Sequence, residues 1–132
     1  MHQERFSVET DTRLTTVDVT DRVESAVPDE LSAGTATAFV THTTAGLAVQ
    51  ENESRLRGDL ETFLGDLVPD EGHAHDQLDG NADSHLRATL IGPDVTIPVT
   101  DGSLALGTWQ SVFFVECDGP RTRTATVTVS GE

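Results

Sequence analysis

Lysine and tyrosine are absent from this chain of 132 residues, which contains one cysteine and one tryptophan. Because Cys117 has no partner, no intrachain disulfide can form and an oxidising compartment is not required. Nothing in the sequence marks this cysteine as an activated nucleophile, so we expect it to be a packing residue. There is no run of roughly 18 apolar residues, and the opening segment, MHQERFSVET, holds no apolar stretch of signal-peptide length. We therefore expect a soluble, cytoplasmic protein.

Basic residues are scarce. All 8 are arginine, and they stand against 23 acidic residues, which gives a formal net charge of −15. Nucleic-acid binding by counterion release needs a basic patch, and anionic membranes attract basic segments, so we expect neither as a partner. The acidic residues are spread along the chain and form no tail. A surface of this kind suits high salt, where screening weakens mutual repulsion, and it predicts a halophilic source.

The apolar pattern predicts strands at both ends of the chain and helices between them. Alternating or β-branched residues, typical of strands, occupy residues 6–8, 14–19, 35–42, 95–99, 109–116 and 122–130. Apolar residues at helical spacing predict a main helix over residues 53–68. Cap and stop residues predict a short helix over 20–27, ended by Pro28, and a second main helix over 82–91, with Asn81 as cap and Gly92 as stop. No repeat or linker divides the chain, so we predict one compact α+β domain over residues 1–132.

A first polar group begins where a predicted strand ends at His42. The following residues, Thr43, Thr44 and a glycine, form a predicted loop that leads toward a helix with Asn52 as its cap. Hydroxyls and backbone N–H groups near a helix start suit an anion, because the helix dipole is positive there. The alternative is that Thr43 and Thr44 only shape the turn while Asn52 only caps the helix.

Histidines form a second group. His42, His73, His75 and His85 are four of the five in the chain, and Asn81 lies four residues before His85 on one predicted helix face. Neutral imidazole is the commonest metal ligand, and three histidines with an open position make a catalytic zinc site. We therefore take His42, His75 and His85 as candidate ligands. No H-E-x-x-H signature is present, so each could instead face solvent or make a hydrogen bond.

A third group lies in the C-terminal third of the chain, in Gly107-Thr108-Trp109-Gln110 and then Glu116, Arg121 and Arg123. The two arginines are two apart on a predicted strand and so face the same way. Parallel guanidinium groups suit a phosphate or diphosphate, although surface acids could pair with them instead. Trp109 could stack on a heteroaromatic ring, or pack in a core or an interface.

Three segments together resemble the successive signature blocks of the YjbQ family: HTTAGLAVQENE, GNADSHLRATLIG and DGSLALGTWQSVFFVECDGPRTR, starting at residues 42, 80 and 101. They come in the family's order and at similar separations, and the likeness covers nearly the whole chain. The resemblance implies a mixed or antiparallel sheet, a homotrimer and a polar pocket near the subunit boundary. The implied pocket positions, with His73 as the alternative to His75, are His42, Thr43, Thr44, Asn52, His75, His85, Gly107, Thr108, Trp109, Gln110, Glu116 and Arg123.

The family is labelled secondary thiamine-phosphate synthase, so the resemblance implies joining a pyrimidine diphosphate to a thiazole phosphate. In that interpretation Arg121, Arg123 and the His42 loop hold phosphates, and Trp109 faces a ring. The predicted catalytic residues are His42, His85 and Glu116. The predicted ligand-binding residues are Thr43, Thr44, Asn52, Asn81, Thr108, Trp109, Gln110, Arg121 and Arg123. A divalent metal would assist, either Mg²⁺ or Zn²⁺, with Glu51, Asp83 or Glu116 as the oxygen ligands of Mg²⁺.

Two rival functions fit the same residues. One is a zinc-dependent hydrolase or lyase acting on a small phosphorylated molecule, with His42, His75 and His85 as ligands and Glu116 or Glu51 as general base. The other is a non-catalytic trimer that binds a small ligand or a metal. The sequence does not choose among the three.

Overall fold

A computed structural model describes all residues, 1–132. Its elements, in chain order, are β1 (His2–Glu9), β2 (Thr15–Asp18), α1 (Thr20–Glu24), β3 (Ala33–Val40), β4 (Ala45–Glu51), α2 (Ser54–Leu67), a 3₁₀ helix (Ala74–Gln77), α3 (Ala82–Ile91), β5 (Asp94–Thr100), β6 (Ser103–Leu104), β7 (Gln110–Glu116) and β8 (Thr122–Gly131). The strands form a five-stranded sheet in the order β1-β8-β3-β5-β6 and a three-stranded sheet in the order β2-β7-β4. None of the helices is both long and apolar enough to cross a bilayer.

The predicted α+β class and its two main helices are confirmed, with α1 as a short third helix. Every strand pairing is antiparallel, so of the two sheet types that the resemblance implies, the antiparallel one is present. The short helix ends at Glu24 and does not continue to residue 27 as predicted.

The core lies between the two sheets, with a second apolar layer outside the smaller one. Val112 and Phe114 of β7 belong to a cluster of 18 buried residues shared with the large sheet. Phe113 and Val115, which alternate with them, pack with Leu64 of α2 in a separate cluster. Both faces of β7 are therefore covered. This explains its continuous apolar run, because a strand buried on both faces has no reason to alternate.

The segment after His42 corrects the sequence prediction. It was expected to be a loop running to a helix start, but β4 lies between them and pairs with β7. Gly46 lets β4 approach the end of α3, since a Cβ there would lie 2.4 Å from the carbonyl oxygen of Gly92. The His42 loop therefore does not adjoin the start of α2, and the helix dipole does not act on it.

Of the two predicted asparagine caps, Asn52 is wrong, and Asn81 holds the predicted position without making a capping bond. Glu53 is the N-cap of α2, and its carboxylate accepts a hydrogen bond from the backbone N–H of Arg55. Asn81 stands at the N-cap of α3 without capping it, because its Nδ2 donates instead to Asp118 Oδ2 at 3.1 Å. The amide thus joins the start of α3 to the residues that follow β7.

Candidate active site

An open cleft of about 680 Å³ lies where one end of β4, β7 and β8 meets the start of α3, and none of its lining residues is hydrophobic. Five lining residues were not among the predicted site residues: Arg13, Thr41, Asp79, Gly80 and Asp118. Seven were predicted: His42, Thr43, Thr44, Asn81, His85, Arg121 and Arg123. The structure thus brings the three separate polar groups of the sequence partly together.

The floor of the cleft is an ion pair between Glu116 and Arg123, whose side chains are 0% and 3% exposed. Arg123 Nε donates to Glu116 Oε1 at 2.9 Å, and Nη2 donates to the other oxygen and to the hydroxyl of Thr44. The Thr10 hydroxyl donates to Glu116 Oε1 at 2.7 Å, and the backbone N–H of Asp118 donates to Oε2. These contacts join β4, β7 and β8 to the end of β1.

Glu116 is held as a carboxylate. Burial favours its neutral form, but the hydrogen bonds from Arg123 and Thr10 outweigh burial and lower its pKa below the ordinary value. With both oxygens engaged and no exposure to solvent, this carboxylate is poorly placed to accept a proton from a ligand. The geometry assigns Glu116 to holding Arg123, whereas the sequence predicted a catalytic role.

The two predicted arginines differ in surroundings. The bonds of Arg123 use Nε and Nη2, which leaves Nη1 without a partner in the chain. Arg121 precedes β8, is about half exposed, and donates through Nε and Nη2 to the backbone oxygen and carboxylate of Asp118. Both line the cleft, one in the floor and one at the rim. Arg121 is paired with Asp118 near the surface, as the alternative interpretation expected, whereas the partner of Arg123 is the buried Glu116 and not a surface acid.

His42 is fixed as a neutral ring. The backbone N–H of Thr124 donates to His42 Nε2 at 2.9 Å, so this nitrogen is the unprotonated one and the ring proton is assigned to Nδ1. Burial, and after it the positive charge of Arg123, lower the pKa of His42. Two independent features therefore give a neutral imidazole at pH 7 that presents Nδ1–H as a donor.

His85 and His75 contact each other. Their ring centroids lie 4.9 Å apart with the planes at 81°, in an edge-to-face arrangement. His75 Nε2 is buried without a hydrogen-bond partner and lies 3.9 Å from the nearest carboxylate oxygen of Asp79. His73 instead bonds the backbone oxygen of Pro69 through its ring. Of the two alternatives for the pocket histidine, His75 is the one beside the cleft.

The arrangement does not fit the predicted metal ligands. No three His, Cys, Asp or Glu side chains form a group that could hold a metal ion. Ligation by His42 Nδ1 would move the ring proton to Nε2, where it would face the N–H of Thr124. The oxygens of Glu116 and Asp83 are already bonded to arginines, and Glu51 lies at the opposite end of β4.

Asp83 anchors a second buried network that sequence reasoning missed. Arg13 donates to both of its oxygens at 3.0 and 2.9 Å, and Arg87 donates to it at 2.6 Å. Burial raises the pKa of Asp83, but the hydrogen bonds from the two arginines lower it by more. Arg87 also donates to the backbone oxygens of Leu64 and Val68, which ties α3 to the end of α2. The spacing of Asp83 and Arg87 at i and i+4 was the available signal.

Five of the predicted pocket residues do not reach the cleft of the same chain. Gln110 pairs with Glu51 at one end of β7, and Glu116 pairs with Ala45 at the other. At about 3.3 Å per residue, six steps of strand separate them by about 20 Å. Trp109 lies beyond Gln110 and is 72% exposed. The five are Asn52, which bonds Asp18 and Arg57, together with Gly107, Thr108, Trp109 and Gln110.

Cys117 is a packing residue, as predicted. Its side chain is fully buried in the cluster beneath α2. Burial raises the pKa of the thiol to about 12, so it stays protonated and unreactive at neutral pH.

Comparison with known proteins agrees with this fold. A family model described as "UPF0047 protein YjbQ-like" matches residues 4–132. A UPF0047 protein of Methanothermobacter thermautotrophicus is 41% identical over 100% of this chain and 94% of its own length. Another, from Archaeoglobus fulgidus, is 46% identical over 89% of this chain and 93% of its own length.

Solved structures agree as well. A YbjQ-like protein of unknown function from Sulfolobus solfataricus P2 superposes with a TM-score of 0.95 at 37% identity, covering 99% of this chain and 97% of that one. A hypothetical protein from Aeropyrum pernix K1 gives a TM-score of 0.94 at 42% identity, with both chains fully covered. Family model, relatives and solved structures lead to one conclusion: the chain belongs to the YjbQ/UPF0047 family.

Proposed function

We propose that the cleft binds the phosphoryl group of a small phosphorylated molecule and that the protein acts on this molecule as a transferase. The observation that carries the proposal is the concentration of arginine. The chain has 8 basic residues at a net charge of −15, yet Arg13, Arg121 and Arg123 line this one cleft, which has no hydrophobic lining residue. An apolar ligand would gain nothing from such a surface.

The donors left over after internal pairing suit a phosphate. Arg123 Nη1 and His42 Nδ1 have no partner within the chain, and neither does the hydroxyl of Thr43. Arginine donates charge-assisted hydrogen bonds in a planar geometry that matches phosphate oxygens. A neutral histidine adds a donor without adding a charge. The combination favours a phosphate ester over a carboxylic acid, which offers fewer acceptor oxygens.

For the reaction itself, the specific candidate is the one that the family label implies. A carbon–nitrogen bond forms between the thiazole and the pyrimidine methylene carbon, the carbon–oxygen bond to diphosphate breaks, and diphosphate departs with the electron pair. The charge that develops on the departing group is what Arg123, Arg121 and His42 can stabilise. His85 lines the same cleft and is the proposed proton donor to that group.

We also propose that the homotrimer expected from the resemblance forms through exposed apolar side chains. Phe63 and Leu67, one turn apart on α2, are 58% and 51% exposed, and Leu90 of α3 is 61% exposed. Large exposed apolar groups in a highly charged chain favour a protein interface. In a trimer, the exposed Trp109 turn could reach the cleft of a neighbouring copy, which would reconcile its family role with its distance from the cleft of its own chain.

Binding is tested with Arg121→Met and the matched control Arg55→Met. Arg121 is half exposed, so its loss should not unfold the chain, and Arg55 is 90% exposed on α2 away from the cleft. A charge-assisted hydrogen bond contributes about 1.5–3 kcal/mol, so we expect Arg121→Met to weaken binding of thiazole phosphate about 10- to 100-fold. Equal affinity in Arg121→Met and the wild type would refute the phosphate site.

Turnover is tested with the wild type and both phosphorylated substrates, with thiamine phosphate as the measured product. We expect product above the background without protein, and less of it with Arg121→Met. If Arg121→Met weakens binding but no product forms with the wild type, the synthase proposal is refuted and the protein is a binding protein. No response in either assay would remove the whole proposal.

A further inference from the structure

A second concavity adjoins the cleft and differs from it in chemistry. It has a volume of about 350 Å³ and shares His42, Thr43 and His85 with the cleft. Beyond these three it is lined by Ala45 and Ala88 and by two further residues of similar size, Thr89 and Pro93. The cleft carries five arginine and aspartate side chains, whereas the second concavity has no arginine, aspartate or glutamate.

This division is set by the fold. Ala45 begins β4 and Ala88 lies on the face of α3 that packs toward it, so small side chains are what allow the helix and strand to approach. Both are buried. Pro93 follows the glycine that ends α3 and leads into β5. The concavity is thus built from two regular elements, β4 and α3, and from the short segments before β4 and after α3.

We propose that the second concavity receives the organic half of the phosphorylated ligand, a compact uncharged ring, while the phosphoryl group occupies the arginine-lined cleft. This inference rests on the proposed function of the cleft. Apolar atoms of a ring gain free energy by leaving water for alanine and proline surfaces, and a phosphate gains nothing there. A volume of about 350 Å³ is at the small end of ligand pockets, which run from about 300 to 1,000 Å³.

The two halves meet at the histidines. A ligand that spans them has the bond between its ring system and its phosphoryl group next to His42 and His85, because these side chains line both concavities. For a pyrimidine diphosphate, that is the carbon–oxygen bond that breaks in the proposed reaction. The substrate class is therefore a phosphate or diphosphate ester with a small aromatic or heteroaromatic group close to the ester oxygen.

The test compares inorganic phosphate with phenyl phosphate by calorimetry. Thr89→Phe is designed to fill the second concavity, because Thr89 is an exposed residue near the end of α3 that lines this concavity and not the arginine-lined cleft. Its hydroxyl donates to the backbone oxygen of His85, so Thr89→Val serves to remove that bond at constant volume. Thr62→Phe is the matched control, because Thr62 is an exposed threonine of α2 that lines neither concavity.

We expect the wild type, Thr62→Phe and Thr89→Val to bind phenyl phosphate at least about tenfold more tightly than inorganic phosphate. Thr89→Phe should lose this preference and keep its affinity for inorganic phosphate. Equal affinity for the two probes in the wild type, or a preference that survives Thr89→Phe, would overturn the inference while leaving the phosphate site intact. Failure to bind inorganic phosphate at all would overturn the proposed function and this inference with it.

Discussion

Replacing Glu116 by glutamine removes one charge from the cleft floor and almost no volume. The buried guanidinium of Arg123 then loses its counter-ion. The new amide NH₂ faces donors in either orientation: Arg123 Nη2 and the Asp118 N–H at the Oε2 position, or Arg123 Nε and the Thr10 hydroxyl at the Oε1 position. Removing one partner of a buried ion pair costs about 3–5 kcal/mol. The retained amide oxygen can still accept from the donors at its own position, so we expect a loss near the lower figure.

A loss of about 3 kcal/mol is large for a domain whose total stability is about 5–15 kcal/mol. Urea unfolding measures it, because a slope of about 1–3 kcal/mol per molar gives a midpoint lowered by more than about 1 M. Glu30→Gln is the control, since Glu30 is exposed and makes no ion pair. The double variant Glu116→Gln/Arg123→Met should recover part of the loss, because it also removes the stranded charge. A single variant within about 1 kcal/mol of the wild type would refute the reasoning.

Acid provides a second readout of the same pair. The pKa of Glu116 in the folded protein lies below its ordinary value of 4.5. At pH values between these two pKa values, the unfolded chain therefore binds more protons than the folded one. The stability that Glu116 contributes is therefore fully present above the ordinary value and is lost as the pH falls through the folded one. The pKa of Asp83 is likewise lowered from its ordinary value of 3.8, so the stability that Asp83 contributes is also lost as the pH falls. We expect a smaller acid-induced loss in Glu116→Gln, and parallel pH curves for variant and wild type would contradict this.

Two further predictions follow from the site and the composition. Protein purified without a histidine tag should hold no stoichiometric zinc in either the wild type or His85→Ala, because the N–H of Thr124 occupies His42 Nε2; elemental analysis that finds zinc in the wild type only would contradict the assigned tautomer. The melting temperature should rise from low salt to molar KCl, because screening relieves the repulsion of a net charge of −15, and an unchanged melting temperature would remove the halophilic interpretation.

Local pattern was enough to predict most elements of this fold. In β8, Arg123, Ala125, Val127 and Val129 are buried while the threonines between them are less so, as the alternation indicated. The positions of Asn81 before residue 82 and Gly92 after residue 91 predicted the bounds of α3. β4 was missed because its first residues, Ala45 and Gly46, are small and carry no strand signal of their own. They form a strand because they pair with β7, and such pairing depends on tertiary structure rather than on local sequence.

The site could be predicted only where its residues are close in sequence. The contact between Arg13 and Asp83 joins residues 70 apart, and nothing local to either predicts it. The error over Trp109 has a related cause. Trp109 and Glu116 fall in one predicted strand, but a strand of seven residues has two ends about 20 Å apart. Only the pairing of β7 with β4 tells which end faces the cleft.

The pairing of the cleft arginines bears on how a ligand is recognised. Arg13, Arg121 and Arg123 are matched by Asp83, Asp118 and Glu116, so the cleft gains little net positive charge. Long-range attraction is therefore a small part of binding, and it would be screened within about 3 Å in molar salt. Hydrogen bonds form at contact distance and therefore do not depend on the range over which salt screens charges. The acids behind each arginine fix the direction of its remaining N–H groups, so these groups can act at contact distance although the protein carries a net charge of −15. For the proposed phosphorylated ligand, we therefore expect selectivity to come from geometry at the cleft floor rather than from the sign of the surface charge.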